Sequence, residues 1–221
     1  MEKNQVIKRE FRVEGIRLRE AEEGKQSRTI TGYAIVFNSP YQMYEDSRES
    51  LREVISPSAI TREVLDENDF VMTMFHNNEL VLARSKNGEG SLRYDVDEKG
   101  VSFEFDAPYT ADGDKALELV RRGDIDGCSF AFTTRYNDED YVSCNSETRD
   151  GKIVTTYSVN KVTGVYDFTL TPNPAYDETE CSCRELVKML REKSTKDDVE
   201  ELRRRDLVKK QVAEMRAAMK F

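Results

Sequence analysis

Three residue types in this sequence form a set that can turn a hydroxyl into a nucleophile: Ser129, His76 and Asp167. A serine hydroxyl is weak until a neighbouring base takes its proton, and imidazole, with an unperturbed pKa of ~6.5, is the side chain suited to that transfer at neutral pH. His76 is the only histidine among 221 residues, so any imidazole-based step falls to it. A carboxylate such as that of Asp167 can hold the imidazole tautomer and favour its charged form. Each residue also has a plainer reading: Ser129 as the polar edge of a strand, His76 as a satisfied core histidine, Asp167 as a solvent-facing side chain on a one-sided sheet.

The segments that must carry them are short and apolar. Gly123-Asp-Ile-Asp-Gly127 is a glycine-bracketed turn that runs into Cys128-Ser129-Phe130-Ala131-Phe132-Thr133. Side chains alternate along a strand, which sets Phe130 and Phe132 on one face as the buried pair and Ser129 and Ala131 on the other. The small residues at 129 and 131 leave space for a substrate backbone, and Gly127 permits close approach. Asp69 to Phe75 forms a strand that opens at His76 into Asn77-Asn78-Glu79, with Met72, Met74 and His76 on one face. In Val162 to Thr171, Tyr166, Phe168 and Leu170 form one face and Asp167 and Thr169 the other, although aspartate is disfavoured within strands.

Further elements read less sharply. Residues 6–19 and 29–37 predict two strands paired as a hairpin; 41–53 an exposed loop bordering a cleft; and 57–65 a short helix capped by Ser56 with Pro57 at its first position. Residues 85–90 predict a flexible connection, and 92–96 and 101–105 a hairpin around Asp97-Glu-Lys-Gly100. Residues 112–122 predict an amphipathic helix with acids first, arginines last and Gly123 just past its end. The polar run 136–152 predicts a mobile excursion before a strand at 153–159.

Composition narrows the class. The net charge is −9, but from Arg184 onward 12 basic residues face 8 acidic ones, a net of +4, leaving 22 basic against 35 acidic, or −13, for residues 1–183. An acidic body argues against a large nucleic-acid surface, since phosphate binding rests on Lys and Arg. No apolar run nears the ~20 residues of a membrane span, and the N-terminus lacks a signal-peptide apolar region, so a soluble, unexported protein is expected. The cysteines at 128, 144, 181 and 183 fit no C-x2-C zinc pair and read as free thiols, with Cys128 facing the core. One histidine makes a poor ligand set, so no metal and no cofactor are expected. From Arg184 the pattern turns helical, with Leu186, Met189 and Leu190, then Val199, Leu202, Val208, Val212, Met215 and Met219 at helical spacing. The chain therefore divides into a body, 1–183, and an amphipathic tail, 184–221.

The order of His76, a double hairpin, the GDIDGCSFAF stretch and YDFTLTPNPAY resembles the prohead protease family of tailed phages, capsid-maturation serine proteases related to herpesvirus assemblins. The likeness covers about residues 29–178. Its most specific part is the glycine-serine-phenylalanine strand with its preceding helix, joined to Pro174-Ala175 at the family's distance. Asp167 falls at a position where relatives more often carry glutamate.

The resemblance implies a mainly β fold: a closed antiparallel barrel of about seven strands with a few helices around it, plus the helical tail. It also implies a serine endopeptidase in which Ser129 attacks, His76 moves the proton and Asp167 orients the imidazole. Backbone N–H groups, Arg84 or Arg135 are the candidates for stabilising the oxyanion. The substrates implied are the scaffold and the N-terminal scaffolding segment of the major capsid protein, cut inside the immature capsid in the host cytoplasm, with self-cleavage and self-association and without nucleic acid or membrane partners. Two rival readings stand beside it: a non-enzymatic capsid- or scaffold-binding protein with the same barrel, and a cysteine hydrolase using Cys128 with His76.

Overall fold

The computed structural model describes residues 7–11, 16–19 and 27–172, the first of these as backbone only. In chain order the elements are β1 (Ile7–Phe11), β2 (Arg17–Leu18), β3 (Thr29–Val36), β4 (Tyr41–Glu45), β5 (Glu49–Ile55), α1 (Arg62–Asp66), β6 (Asp69–Met74) and β7 (Asn77–Lys86). They continue with β8 (Glu89–Gly90), β9 (Leu92–Val96), β10 (Gly100–Asp106), α2 (Ala111–Arg122), β11 (Gly127–Thr133), β12 (Val142–Arg149), β13 (Lys152–Val159) and β14 (Gly164–Thr171). The expected tail at 184–221, the Pro174-Ala175 element, Cys181 and Cys183 lie outside the described residues.

The protein is mainly β, as expected, but the strands are more numerous and differently joined than the sequence suggests. Hydrogen bonding groups them into three sheets, ordered β1-β11-β14-β6-β7-β8, β2-β3-β10-β9 and β12-β13-β5-β4. Two ladders are parallel, β14 with β6 and β13 with β5, so the architecture is mixed rather than wholly antiparallel. No ladder closes these sheets into one ring among the described residues.

The extra strands come from polar segments. Residues 41–53, expected as an exposed loop, form the β4–β5 hairpin, and β5 buries Ser50, Leu51 and Glu53. Its polar side chains survive burial because they are bonded: Tyr136 Oη donates to Glu53 Oε2, and the Ser50 hydroxyl lies 3.0 Å from Gln42 Nε2. The expected excursion at 136–152 contains β12, an edge strand exposed at every position but Val142, so it shows no apolar alternation. Its turn, Asp150-Gly151, has φ of 51° and 78°, and the Asn87-Gly88 turn that carries β7 into β8 has 52° and 78°. Asn-Gly and Asp-Gly favour this left-handed two-residue turn, because both central residues need positive φ. The connection expected at 85–90 is therefore an ordered hairpin.

Two further expectations are corrected. Within residues 6–19 the described segments are two separate strands: β1 pairs with β11, and of the two only β2 pairs with β3. The first helix is a single turn capped by Thr61, because the Ser56 hydroxyl donates to Asn160 and its N–H to the Val159 carbonyl. The second helix matches its expectation, with Thr110 as N-cap and Gly123 at φ 75° as C-cap. The core sits where the sheets meet: Phe70, Phe103, Phe105, Phe130, Phe132 and Phe168 are each at most 1% exposed. Tyr166, expected on that face, is instead 44% exposed.

Candidate active site

The three candidate residues come from three strand regions of the first sheet, and its register explains how they meet. In the antiparallel β11·β14 ladder Ser129 stands opposite Thr169, and Ala131 opposite Asp167. Ser129 and Asp167 are thus diagonal neighbours, a spacing that one imidazole can bridge. On its other side β14 runs parallel to β6, with Thr169 opposite Thr73 and Leu170 opposite Met74. His76 follows directly after β6 and so arrives beside this pair.

The contacts are short. His76 Nε2 lies 2.7 Å from Ser129 Oγ, and His76 Nδ1 lies 2.7 Å from Asp167 Oδ1. A carboxylate can only accept hydrogen bonds, so Nδ1–H donates to Asp167 and Nε2 is left to accept from the serine hydroxyl. The site is enclosed: Ser129 is 0% exposed, Asp167 7%, and the His76 side chain 7%. Two of the plainer readings fail on position, since Ser129 is no exposed strand edge and Asp167 does not face solvent, whereas a buried His76 with both ring nitrogens bonded is also what a satisfied core histidine looks like.

The backbone that presents His76 is unusual. Met74 pairs with Asn77, which leaves Phe75 and His76 as a two-residue turn with φ of 59° and 51°. The alternation that put His76 on a face with Met72 and Met74 therefore stops at the turn. Both turn amides are tied to β14: Phe75 N–H donates to the Leu170 carbonyl at 3.1 Å, and His76 N–H to Thr169 Oγ1 at 2.9 Å. The Thr73 hydroxyl donates to the same Thr169 oxygen at 2.8 Å. Thr73 and Thr169, both 0% exposed, were not singled out from the sequence; the one signal was that Thr169 shares the face of Asp167.

The rival groups are placed elsewhere. Cys128 is fully buried, and burial pushes its thiol pKa far up, with the Asp167 charge adding to the effect. A thiol so held is a poor source of thiolate. Arg84 is bound to Asp69 at 2.5 and 2.7 Å, at the end of β6 remote from His76. The Arg135 guanidinium lies 4.8 Å over the Tyr141 ring, past the end of β11. Neither is directed at Ser129 in this arrangement. Among the described residues no group of three or more His, Cys, Asp or Glu side chains could hold a metal ion, and no helix is long and apolar enough to cross a membrane.

Comparison with known proteins was made on sequence and on fold. No curated protein matches the sequence. The solved structure of the bacteriophage T4 capsid assembly protease, gp21, is similar at 11% identity, over 73% of this chain and 96% of that one, with a TM-score of 0.38. The family model for the caudovirus prohead serine protease matches residues 14–192, most of the chain, and on that match the chain belongs to the caudovirus prohead serine protease family.

Proposed function

We propose that the chain is a prohead serine endopeptidase in which Ser129 is the nucleophile, His76 the general base and acid, and Asp167 the residue that orients the imidazole. The observation that carries this reading is the continuous relay of two 2.7 Å contacts from Ser129 Oγ through His76 to Asp167 Oδ1. As Ser129 Oγ attacks the scissile carbonyl, its proton passes to His76 Nε2, and Asp167 stabilises the imidazolium that forms. Collapse of the tetrahedral intermediate returns that proton to the leaving amine and leaves an acyl-serine, which water hydrolyses by the reverse proton path. Because Ser129 is fully buried, a peptide reaches Oγ only after the cover over it gives way.

The family supports a role in capsid assembly, and on this reading the substrates are the scaffold and the N-terminal scaffolding segment of the major capsid protein. The enzyme also cuts itself and works inside the immature capsid. The basic, helically patterned residues 184–221 recruit it to the scaffold or pair it with a second copy. A closed barrel for residues 1–183 remains part of the proposal.

The test is co-expression with the major capsid protein and sequencing of the new termini by mass spectrometry. Ser129→Ala and His76→Ala are expected to abolish cleavage while the chain stays folded, whereas Cys128→Ala cleaves within a few-fold of the parent. Loss on Cys128→Ala alone would favour the cysteine reading. No cleavage by the parent chain in assembling capsids would favour the non-enzymatic one.

A further inference from the structure

Among the described residues three two-residue turns have both central residues at positive φ, and their sequences differ in a telling way. Two are Asn87-Gly88 and Asp150-Gly151, the residue types that accept this conformation at little cost. The third is Phe75-His76. A residue with a full side chain in the left-handed region costs on the order of 1–3 kcal/mol, and persists only where its surroundings over-determine it. Phe75 does not offset this by packing, since it is 43% exposed. The restraint comes from the two contacts of the His76 ring, which the site itself uses, and from the turn amides.

Those amides are held by β14. The Phe75 N–H takes a backbone carbonyl, that of Leu170, which a change of side chain at 170 would leave in place. The His76 N–H instead takes a side-chain oxygen, Thr169 Oγ1, at 2.9 Å. That oxygen is fixed in turn by the Thr73 hydroxyl at 2.8 Å, and the residue carrying it stands opposite Ser129 and two positions from Asp167. One buried hydroxyl thus ties the backbone of the proton carrier to the strand that bears its carboxylate.

We propose that Thr169 is a positioning residue for the hydrolytic reaction. Its hydroxyl holds the strained Phe75-His76 turn so that both imidazole nitrogens stay in line with Ser129 and Asp167, with Thr73 as its support. This rests on the reading of Ser129, His76 and Asp167 as a triad. Removing the acceptor orphans a part-buried N–H and lets the turn relax, and displacement of a reacting group by about 1 Å can cost ~100-fold in rate.

The single histidine makes this testable without a known cleavage sequence. The untagged full-length chain, labelled with 15N-histidine, yields one imidazole spectrum, and a fluorophosphonate probe reports the rate at which the nucleophile attacks. Thr169→Val, near-identical in shape, is expected to lower the labelling rate per folded molecule by roughly 10- to 100-fold and to weaken the low-field Nδ1–H resonance. Thr169→Ser is expected to restore both to within a few-fold. A folded Thr169→Val that reacts at the parent rate with an unchanged imidazole spectrum overturns the proposal, even if its melting temperature drops. Where Thr169→Val does not fold, Thr73→Val decides: a smaller loss of rate with a shifted imidazole spectrum supports the clamp, and parent behaviour in both measurements overturns it. His76→Ala run alongside separates the two levels, since parent-rate labelling there sinks the triad reading itself.

Discussion

Asp167 occupies a strand position that sequence statistics disfavour, and its burial decides what the side chain is for. A carboxylate left unpaired at 7% exposure would cost several kcal/mol as an ion, so its contact with His76 Nδ1 contributes to stability as well as to the proposed chemistry. Asp167→Asn keeps the shape but offers an amide that can donate to Nδ1, which flips the tautomer and leaves a proton on Nε2 where the serine needs a lone pair. The expected outcome is a loss of roughly 10³- to 10⁴-fold in kcat with KM little changed. Steady-state kinetics on a capsid-derived peptide identified by terminal sequencing checks it; a loss below tenfold would reduce Asp167 to a structural ion. As candidates, Ser129 and Asp167 were legible because each interrupts an apolar strand, and His76 because it is the single histidine of the sequence. Thr73 and Thr169 were not, because a threonine in a strand is what β-propensity predicts in any case.

At the scale of elements, legibility followed burial. Strands with an alternating apolar face, such as β9, β10 and β14, were readable, as was α2 with its glycine cap. Strands β4, β5 and β12 were not: one is held in a hairpin by polar bonds, one is central with buried Ser50 and Glu53, and one is an exposed edge. The Asn87-Gly88 and Asp150-Gly151 pairs were hairpin signals in plain view, whereas nothing in Phe75-His76 announces a turn. Helix α2 offers a test where propensity and packing oppose each other. Alanine is favoured over glycine inside a helix by ~1 kcal/mol. At Gly113, however, a Cβ would sit 2.0 Å from the Pro108 carbonyl oxygen, a backbone atom that cannot swing aside. Overpacking of this kind costs about 1–3 kcal/mol, so packing wins. Gly113→Ala should lower the thermal midpoint by several degrees in a calorimetric scan, and a rise would show that the Pro108 segment yields freely.

Over the whole molecule, the site and the core are two faces of the same strands. On β14, Asp167 and Thr169 face His76, while Phe168 between them packs on Phe70 at a centroid distance of 4.9 Å and stands opposite Phe130 in the β11 ladder. The site residues are 91 and 53 positions apart from His76 in sequence, so no local segment can form the site before the sheet assembles. Truncating Phe168 therefore strikes both at once. Phe168→Ala should cost about 3–5 kcal/mol, a large share of the 5–15 kcal/mol that ordinarily holds a domain together. In a urea titration followed by far-UV circular dichroism and by the His76 imidazole resonance, the two curves are expected to coincide for the parent and to move together to lower urea in the variant. Separation of the curves, with the imidazole signal lost while the sheet signal persists, would mean that the active-site strands open independently of the core. In that event the energy holding Ser129, His76 and Asp167 in line would come from the turn and its threonine clamp rather than from the aromatic packing beneath them.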